Sequence, residues 1–316
     1  MNELVQVQDL LKEKADCQAR LNLMPYDGSP EIKEQSGNKY LYVRKRVAGK
    51  LTSTYVDVYS DELYQLLLRN ARDARALRKR IRQIEKELSA IGYKESELSF
   101  RVLQNIDFAR ANMKANIYNQ AVLEGVGTSF PQTEEIINNG IVNGVKATDV
   151  QKILNLKHAW EFILDKDVIQ SDSNFYMISH IAKLVNEGFY MDGGRVRSIP
   201  VTIGGSSYVP PLPMESVVKE SISNIVRSGK EAIDIAIELC LYCMKTQIFI
   251  DGNKRASVIF ANQYLIAHGQ GFLVIPEQEV PEFKRLLVRY YEGEKISVLS
   301  TFLKESCWKN FEKFTK

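Results

Sequence analysis

The sequence predicts a mainly α-helical protein: a small α-β-β-α module over residues 1–92, then a larger helical domain over residues 93–316 interrupted by a short β-hairpin. Three observations carry this expectation. Apolar residues recur at helical spacing through most of the chain. Between Lys39 and Ser60 that spacing gives way to a stretch rich in Tyr, Val and Thr. Further on, residues 191–213 form one long Gly- and Pro-bracketed segment inside an otherwise helical pattern.

Leu4, Val7, Leu10, Leu11, Ala15 and Leu21 lie along one face of a first amphipathic helix. "YDGSPEIKEQSG" holds Gly, Pro and Ser without a period and reads as a loop. "KYLYVRKRVAGKLTSTYVDVYS" reads as a hairpin turning at Ala48-Gly49. From Ser60 to Leu88 the helical pattern returns through Leu63, Leu67, Ala74, Leu77, Ile81, Ile84 and Leu88, and "GYKESELS" reads as the joint. Helices follow, with turns at Gly125-Val126-Gly127, Asn138-Asn139-Gly140 and Asn143-Gly144. In residues 191–213 the alternation of Ile199, Val201 and Ile203 predicts the hairpin, and so long an insertion in a helical domain often carries function.

Composition sets outer bounds. With 45% hydrophobic and 26% charged residues the chain is of ordinary globular type, and a net charge of +3 is too small to argue for nucleic acid. No apolar run of about 18 residues exists, so no membrane partner is expected. The N-terminus mixes acids into its apolar positions, unlike a signal peptide, and cytoplasmic is the expected location. Cys240 and Cys243 form a C-x-x-C, but inside a helical run with no second pair, which favours a buried face over a redox or zinc site.

The stretch that points to chemistry is "TQIFIDGNKRASVIFANQ", residues 246–263. Gly252 permits close backbone approach to a ligand, and the helix that starts just after it directs unpaired N–H groups and a positive dipole end at the same turn. Lys254 and Arg255 add charge for phosphate, while Asp251 offers one carboxylate oxygen to Mg²⁺ with phosphates supplying the rest. A plain inter-helix turn with solvated charges is the alternative reading of "FIDGNKR", residues 249–255, taken alone.

The segment resembles the signature of the Fic (Fic/Doc) family, His-x-Phe-x-Asp/Glu-Gly-Asn-Gly/Lys-Arg, which joins two helices of an all-helical domain. Three further stretches are similar to the family: "GGRVRSIPVTIGGSSYVPP" to its flap hairpin, "TDVQKILNLKHAWEFI" to the helix upstream, and "AVLEGVGTSFPQTEEIINNG" to the segment with its inhibitory glutamate. The likeness runs from about Ser99 to Phe302. It implies a Fic-type fold and AMP transfer from ATP, with Mg²⁺, onto a hydroxyl of a target protein whose identity the sequence does not give. By that resemblance Asp251 holds metal, and Gly252, Asn253, Lys254 and Arg255 bind nucleotide. Val201, Thr202 and Ile203 of the flap hold target main chain as an added strand. Phe283 is either the adenine wall or core, and Glu124 is either inhibitory or only a helix end.

The sequence departs from the family in three places. Gln247 stands where the family has its proton-accepting histidine, and a carboxamide accepts no proton near neutral pH. Lost general-base assistance costs about 10²–10⁴ in rate, so the expectation is impaired or altered chemistry. The alternative is a catalytically inactive nucleotide- or partner-binding regulator. Lys254 replaces the usual Gly and resembles the phosphate-transferring Doc branch. Val258 replaces a second arginine, which deprives Glu124 of its usual partner; Gln120 stands where the inhibitory motif has Ser or Thr. Among His158, His180 and His268 none is near the loop in sequence, and Asp251 can act as base only if it holds no metal.

From Arg69 to Arg82 lie seven basic residues and one acid, and the hairpin adds Arg44, Lys45, Arg46 and Lys50 among Tyr40, Tyr42 and Tyr55. A nucleic-acid platform is one reading. The acids nearby, Asp57, Asp61, Glu62, Asp73, Glu85 and Glu87, favour a solvated face or a protein-recognition module instead.

Overall fold

The Tyr-rich stretch forms two strands, and the segment ahead of it, expected to be a loop, forms a third. In the computed structural model, described over residues 3–24, 26–35, 37–47, 50–93, 97–140 and 142–311, the chain falls into two units, Met1–Glu95 and Ser96–Lys316. The first runs α1 (Glu3–Leu23), β1 (Ser29–Gln35), β2 (Asn38–Val47), β3 (Lys50–Val58) and α2 (Asp61–Ala90), with an antiparallel sheet ordered β1-β2-β3. Helices thus flank a hairpin as expected, with one strand more. The expected Ala48-Gly49 turn and part of the 92–99 joint lie outside the described residues.

Inward-facing Leu41 and Val43 of β2 pack on Leu67 of α2, while Leu10 and Leu11 of α1 meet Ile84 and Leu88. Ser60 caps α2 by accepting from Leu63 N at 3.2 Å. Part of the basic run is consumed here. Arg80 grips Glu13 with two bonds of 2.6 Å and donates to Glu87 at 3.2 Å, and Arg78 and Lys45 both pair with Asp27. Tyr42 and Tyr55 meet edge to face with ring centroids 5.5 Å apart, beneath Lys33.

The second unit is helical: α3 (Phe100–Ala111), α4 (Met113–Leu123), α5 (Phe130–Asn139), α6 (Ala147–Ile163), α7 (Lys166–Ile169), α8 (Phe175–Val185), α9 (Glu215–Val226), α10 (Ala232–Thr246) and α11 (Asn253–Ala267). Then follow β4 (Phe272–Leu273), α12 (Val280–Tyr291), α13 (Ile296–Phe302) and β5 (Trp308–Lys309). Helix α11 is apolar on nearly every side and is buried from Asn253 almost throughout, as such a pattern demands. Its inner polar residues Ser257, Asn262 and Gln263 are satisfied internally. Asn262 exchanges bonds of 2.6 and 2.8 Å with the backbone of Leu273, and Gln263 takes the hydroxyl of Ser173. Cys240 and Cys243 are buried in α10, where desolvation pushes both thiols up, in keeping with a packing role. No helix among the described residues is long and apolar enough to cross a membrane.

The hairpin expected in residues 191–213 needs correction. The segment turns at Gly204-Gly205, where Ser206 N donates to Ile203 O at 3.2 Å, but its arms form no ladder. Pro200, Pro210, Pro211 and Pro213 withhold donors from such a ladder. A buried arginine ties the arms together in its place, as described below.

Candidate functional site

The turn after α10 is defined by two left-handed residues. Gln247 closes the helix with φ 48° and ψ 60°, the one non-glycine residue at positive φ among those described. Gly252 opens α11 at φ 72°, and a Cβ there would lie 2.6 Å from Asn186 Oδ1, so glycine is required for conformation and for space. Between them Ile248 and Phe249 are buried and anchor the loop. The leading N–H groups of α11 lack partners within the helix, which makes this turn an anion site in outline.

Three side chains hold the turn. Asn253 accepts from Phe249 N at 2.9 Å and donates to Phe249 O at 2.8 Å and to Gln247 Oε1 at 3.2 Å. Asn186, wholly buried, donates to Asp251 O and Gly193 O at 2.9 and 3.0 Å. Arg197 is 5% exposed and meets only carbonyl oxygens. Its Nε donates to Gln247 O at 2.6 Å, and its two terminal nitrogens reach Ile199, Pro210 and Pro211 at 2.7–3.2 Å. It therefore locks both arms of the flap to the turn. Gln247 is fixed at both ends of its carboxamide, since Nε2 also donates to Met244 O at 2.6 Å.

Above the turn lies a cavity of about 760 Å³ between the flap (Val201, Thr202, Ile203, Gly204 and Gly205), the loop from Ile250 to Lys254, and α12. Gln247, Asp251, Gly252, Asn253, Lys254 and Glu124 all line it, so most of the expected site is brought together. The Glu124 carboxylate lies 3.6 Å from Lys254 Nζ and 3.7 Å from Arg255 Nε. Both distances exceed hydrogen-bonding range, and Glu124 Oε1 and Arg255 Nε are buried without hydrogen-bond partners. Two orphaned polar atoms at one spot mark a place where a ligand or water belongs.

Two expectations need correction. Arg255 is 2% exposed and turned into the protein, donating to Val185 O and Asp251 Oδ2, each at 2.9 Å. It does not line the cavity, so Lys254 is the loop cation that faces it. Phe283 is wholly buried and cannot stack on a base; Leu287, Val288 and Tyr291 of the same helix line the cavity in its place. None of the histidines lines it. His158 lies against Glu187, His180 against Phe162 and His268 against Tyr264. Val258 is buried, and Gln120 accepts from Trp160 Nε1 while donating to Arg255 O.

The reading of the sequence missed Arg197, Asn186 and Glu292. Glu292 accepts from Ser206 Oγ, Ser207 N and Ser207 Oγ at 2.9–3.1 Å and so clips the flap tip to the end of α12. These bonds hold its carboxyl below the usual range, the Ser207 N–H foremost. A carboxyl lowered in the folded state stabilises that state above its ordinary pKa, and the contribution disappears as pH falls through the lowered value. Protection of the Ser207 amide, its exchange rate relative to the intrinsic rate at each pH, is therefore expected to hold through neutral pH and to fall at acid pH. In Glu292→Ala that amide should be unprotected at every pH, as measured by hydrogen exchange.

A helical domain with a cavity between a flap and the start of a buried helix is the class of protein that the geometry defines. Comparison with known proteins finds that residues 174–265 match the Fic/DOC family model, so the chain carries a Fic/DOC family domain there. Residues 3–65 match a domain of unknown function, DUF6788. The protein adenylyltransferase Fic of Drosophila willistoni is 25% identical over 255 residues, covering 75% of this chain and 51% of that protein. That of Drosophila yakuba is 24% identical over 220 residues, covering 66% and 44%. The chain thus spans about half the length of the curated relatives it matches. Fic-1 (residues 134–508) of C. elegans shares the fold with a TM-score of 0.52 at 18% identity, covering 77% of this chain and 74% of that one.

Proposed function

We propose that the cavity binds ATP and that the chain is a Fic-type adenylyltransferase whose transfer of AMP to a target-protein hydroxyl is slowed by Gln247. The observation that carries this is Lys254 beside the Glu124 carboxylate, whose Oε1 lacks a hydrogen-bond partner, both lining a cavity roomy enough for a nucleotide. The names of the curated relatives support the same activity. In this reading the turn from Asp251 to Lys254 receives phosphates, and Val201, Thr202 and Ile203 offer an unpaired edge to target main chain. The apolar side chains of α12 take the base.

The residues present fit one Mg²⁺ only together with nucleotide. Asp251 is half exposed at the cavity wall and spends Oδ2 on Arg255, leaving Oδ1. No group of three metal-ligating side chains exists among the described residues, so phosphate oxygens would complete the shell. Bound there, the ion would neutralise developing phosphate charge. Gln247 keeps enough hydrogen-bonding capacity to orient an acceptor, but it removes no proton.

The second reading is a nucleotide- or partner-binding regulator without catalysis. It is favoured by Glu124, which sits where phosphate oxygens would meet Lys254, and by the tied carboxamide of Gln247. Calorimetry with Mg²⁺ and ATP tests both readings. Binding should weaken about tenfold in Lys254→Ala, the worth of a charge-assisted hydrogen bond, and tighten in Glu124→Ala. Absence of any ATP binding in wild type and in Glu124→Ala would defeat the nucleotide reading. Binding without transfer of label from [α-³²P]ATP would select the regulator. The Arg69–Arg82 run stays outside this proposal, because Arg78 and Arg80 serve internal ion pairs.

A further inference from the structure

In an antiparallel sheet, residues directly opposite one another point to the same side, so the register of β1, β2 and β3 decides what each face of the first unit carries. Leu41 and Val43 of β2 face α2. Tyr40, Tyr42 and Arg44 therefore face the other way, with Glu31 and Lys33 of β1 and Tyr55 of β3 beside them. Tyr55 is 49% exposed, and Tyr40 and Tyr42 are partly exposed. The Tyr55 ring lies 5.5 Å from that of Tyr42 and 6.3 Å from that of Tyr40. Three aromatic rings thus stand together on an open surface.

The charge of that surface suits a polyanion. Residues 29–58 hold six basic against three acidic residues, an excess equal to the net charge of +3 of the whole chain. Two of the three acids lie on the helix side, Glu34 opposite Lys39 and Asp57 opposite Leu41. Glu31 alone shares the open face, where its carboxylate accepts from Ser53 Oγ at 3.1 Å and lies 3.9 Å from Lys33 Nζ. Lys33 in turn sits 4.2 Å above the Tyr42 ring. Arg44 is exposed and has no carboxylate partner among the described residues. The acids of α2, which dilute the charge in the sequence, belong to the helix packed under the opposite face.

We infer that the open face of this sheet binds single-stranded nucleic acid, with bases stacked on Tyr42 and Tyr55 and phosphates received by Lys33 and Arg44. A duplex keeps its bases stacked within itself, so it offers phosphates to such a face but no ring to the tyrosines. A single strand offers both, and every base has a π face to stack, so little sequence preference is expected. The loose, exposed Lys33–Glu31 pair costs little to open for a phosphate. The site lies in the first unit and does not rest on the ATP reading.

The test is fluorescence anisotropy with the full chain and labelled oligo(dT), oligo(U) and a DNA duplex of equal length, across a range of KCl concentrations. The single strands are expected to bind more tightly than the duplex, with affinity falling as salt rises; the ratio of oligo(U) to oligo(dT) affinity tells RNA from DNA. Tyr42→Ala and Tyr55→Ala should each weaken single-strand binding about tenfold, while Tyr55→Phe, which keeps the ring, should bind as the wild type does. Arg44→Ala should flatten the salt dependence by about one phosphate contact. Urea midpoints unchanged from wild type check that the variants keep the sheet. Absence of single-strand binding at low salt would overturn the inference and leave the face to a protein partner. Duplex binding as tight as that of the single strands would overturn it too, as would binding that both alanine variants leave unchanged, since charge alone would then account for it.

Discussion

Replacing Arg197 by alanine is expected to cost about 2–5 kcal/mol of stability and to free the flap. Four carbonyl oxygens, those of Gln247, Ile199, Pro210 and Pro211, lose the guanidinium that satisfies them, and each buried acceptor left unpaired costs about 1–3 kcal/mol. Water reaching the more exposed carbonyls offsets part of that, which keeps the total below the simple sum. Arg197→Lys should recover only a fraction, because an ammonium cannot span both arms of the flap and the Gln247 carbonyl as a planar fork does. Urea unfolding should show a lower midpoint at unchanged slope, and hydrogen exchange should quicken at the bonded flap amides of Ser206 and Ser207 ahead of α11. A variant with the wild-type midpoint and slow flap exchange would show that the carbonyl cluster is held by something other than this side chain.

How much of this was legible in the sequence depends on whether local pattern or tertiary context decides each element. Helix α11 could be read because its apolar residues leave no polar face and a glycine stands just ahead of it. Strand β1 could not. Its only large apolar residue is Ile32, and it is held by pairing with β2 from Ser29↔Arg44 to Gln35↔Asn38, so pairing overrides composition. The alternation of Ile199, Val201 and Ile203 suggested a ladder that the surrounding prolines do not support. Adjacent cations posed a different problem. Lys254 and Arg255 are about 100° apart around a helix, and the motif alone does not say which reaches solvent. The structure sends Arg255 inward and leaves Lys254 at the cavity. Phe283 fails similarly, since helical spacing marks an apolar face without saying whether core or cavity covers it. The left-handed end of α10 at Gln247 carries no sequence signal, because glutamine has no preference for that conformation; asparagine or glycine would have announced it.

Gln247→His is expected to raise AMP transfer to protein hydroxyls by about 10²–10⁴, the usual worth of a positioned general base. Backbone strain does not oppose the change, for histidine is among the residues enriched at positive φ, and position 247 already sits at φ 48°. A general base works only when deprotonated, so the gain should be absent at acid pH, where the ring is protonated, and should grow as pH rises through the imidazole range, about 6.5 for a free side chain. Glu124 remains on Lys254 in this variant. Adding Glu124→Ala should therefore raise label further by freeing the cation for phosphate. The measurement is label from [α-³²P]ATP on the chain itself and on lysate proteins, with ATP affinity followed in parallel. If Gln247→His binds ATP as the wild type does yet labels no more than the wild type at any pH, position 247 does not face the α-phosphate. The turn would then serve to hold a nucleotide, and the regulator reading would stand in place of the transferase.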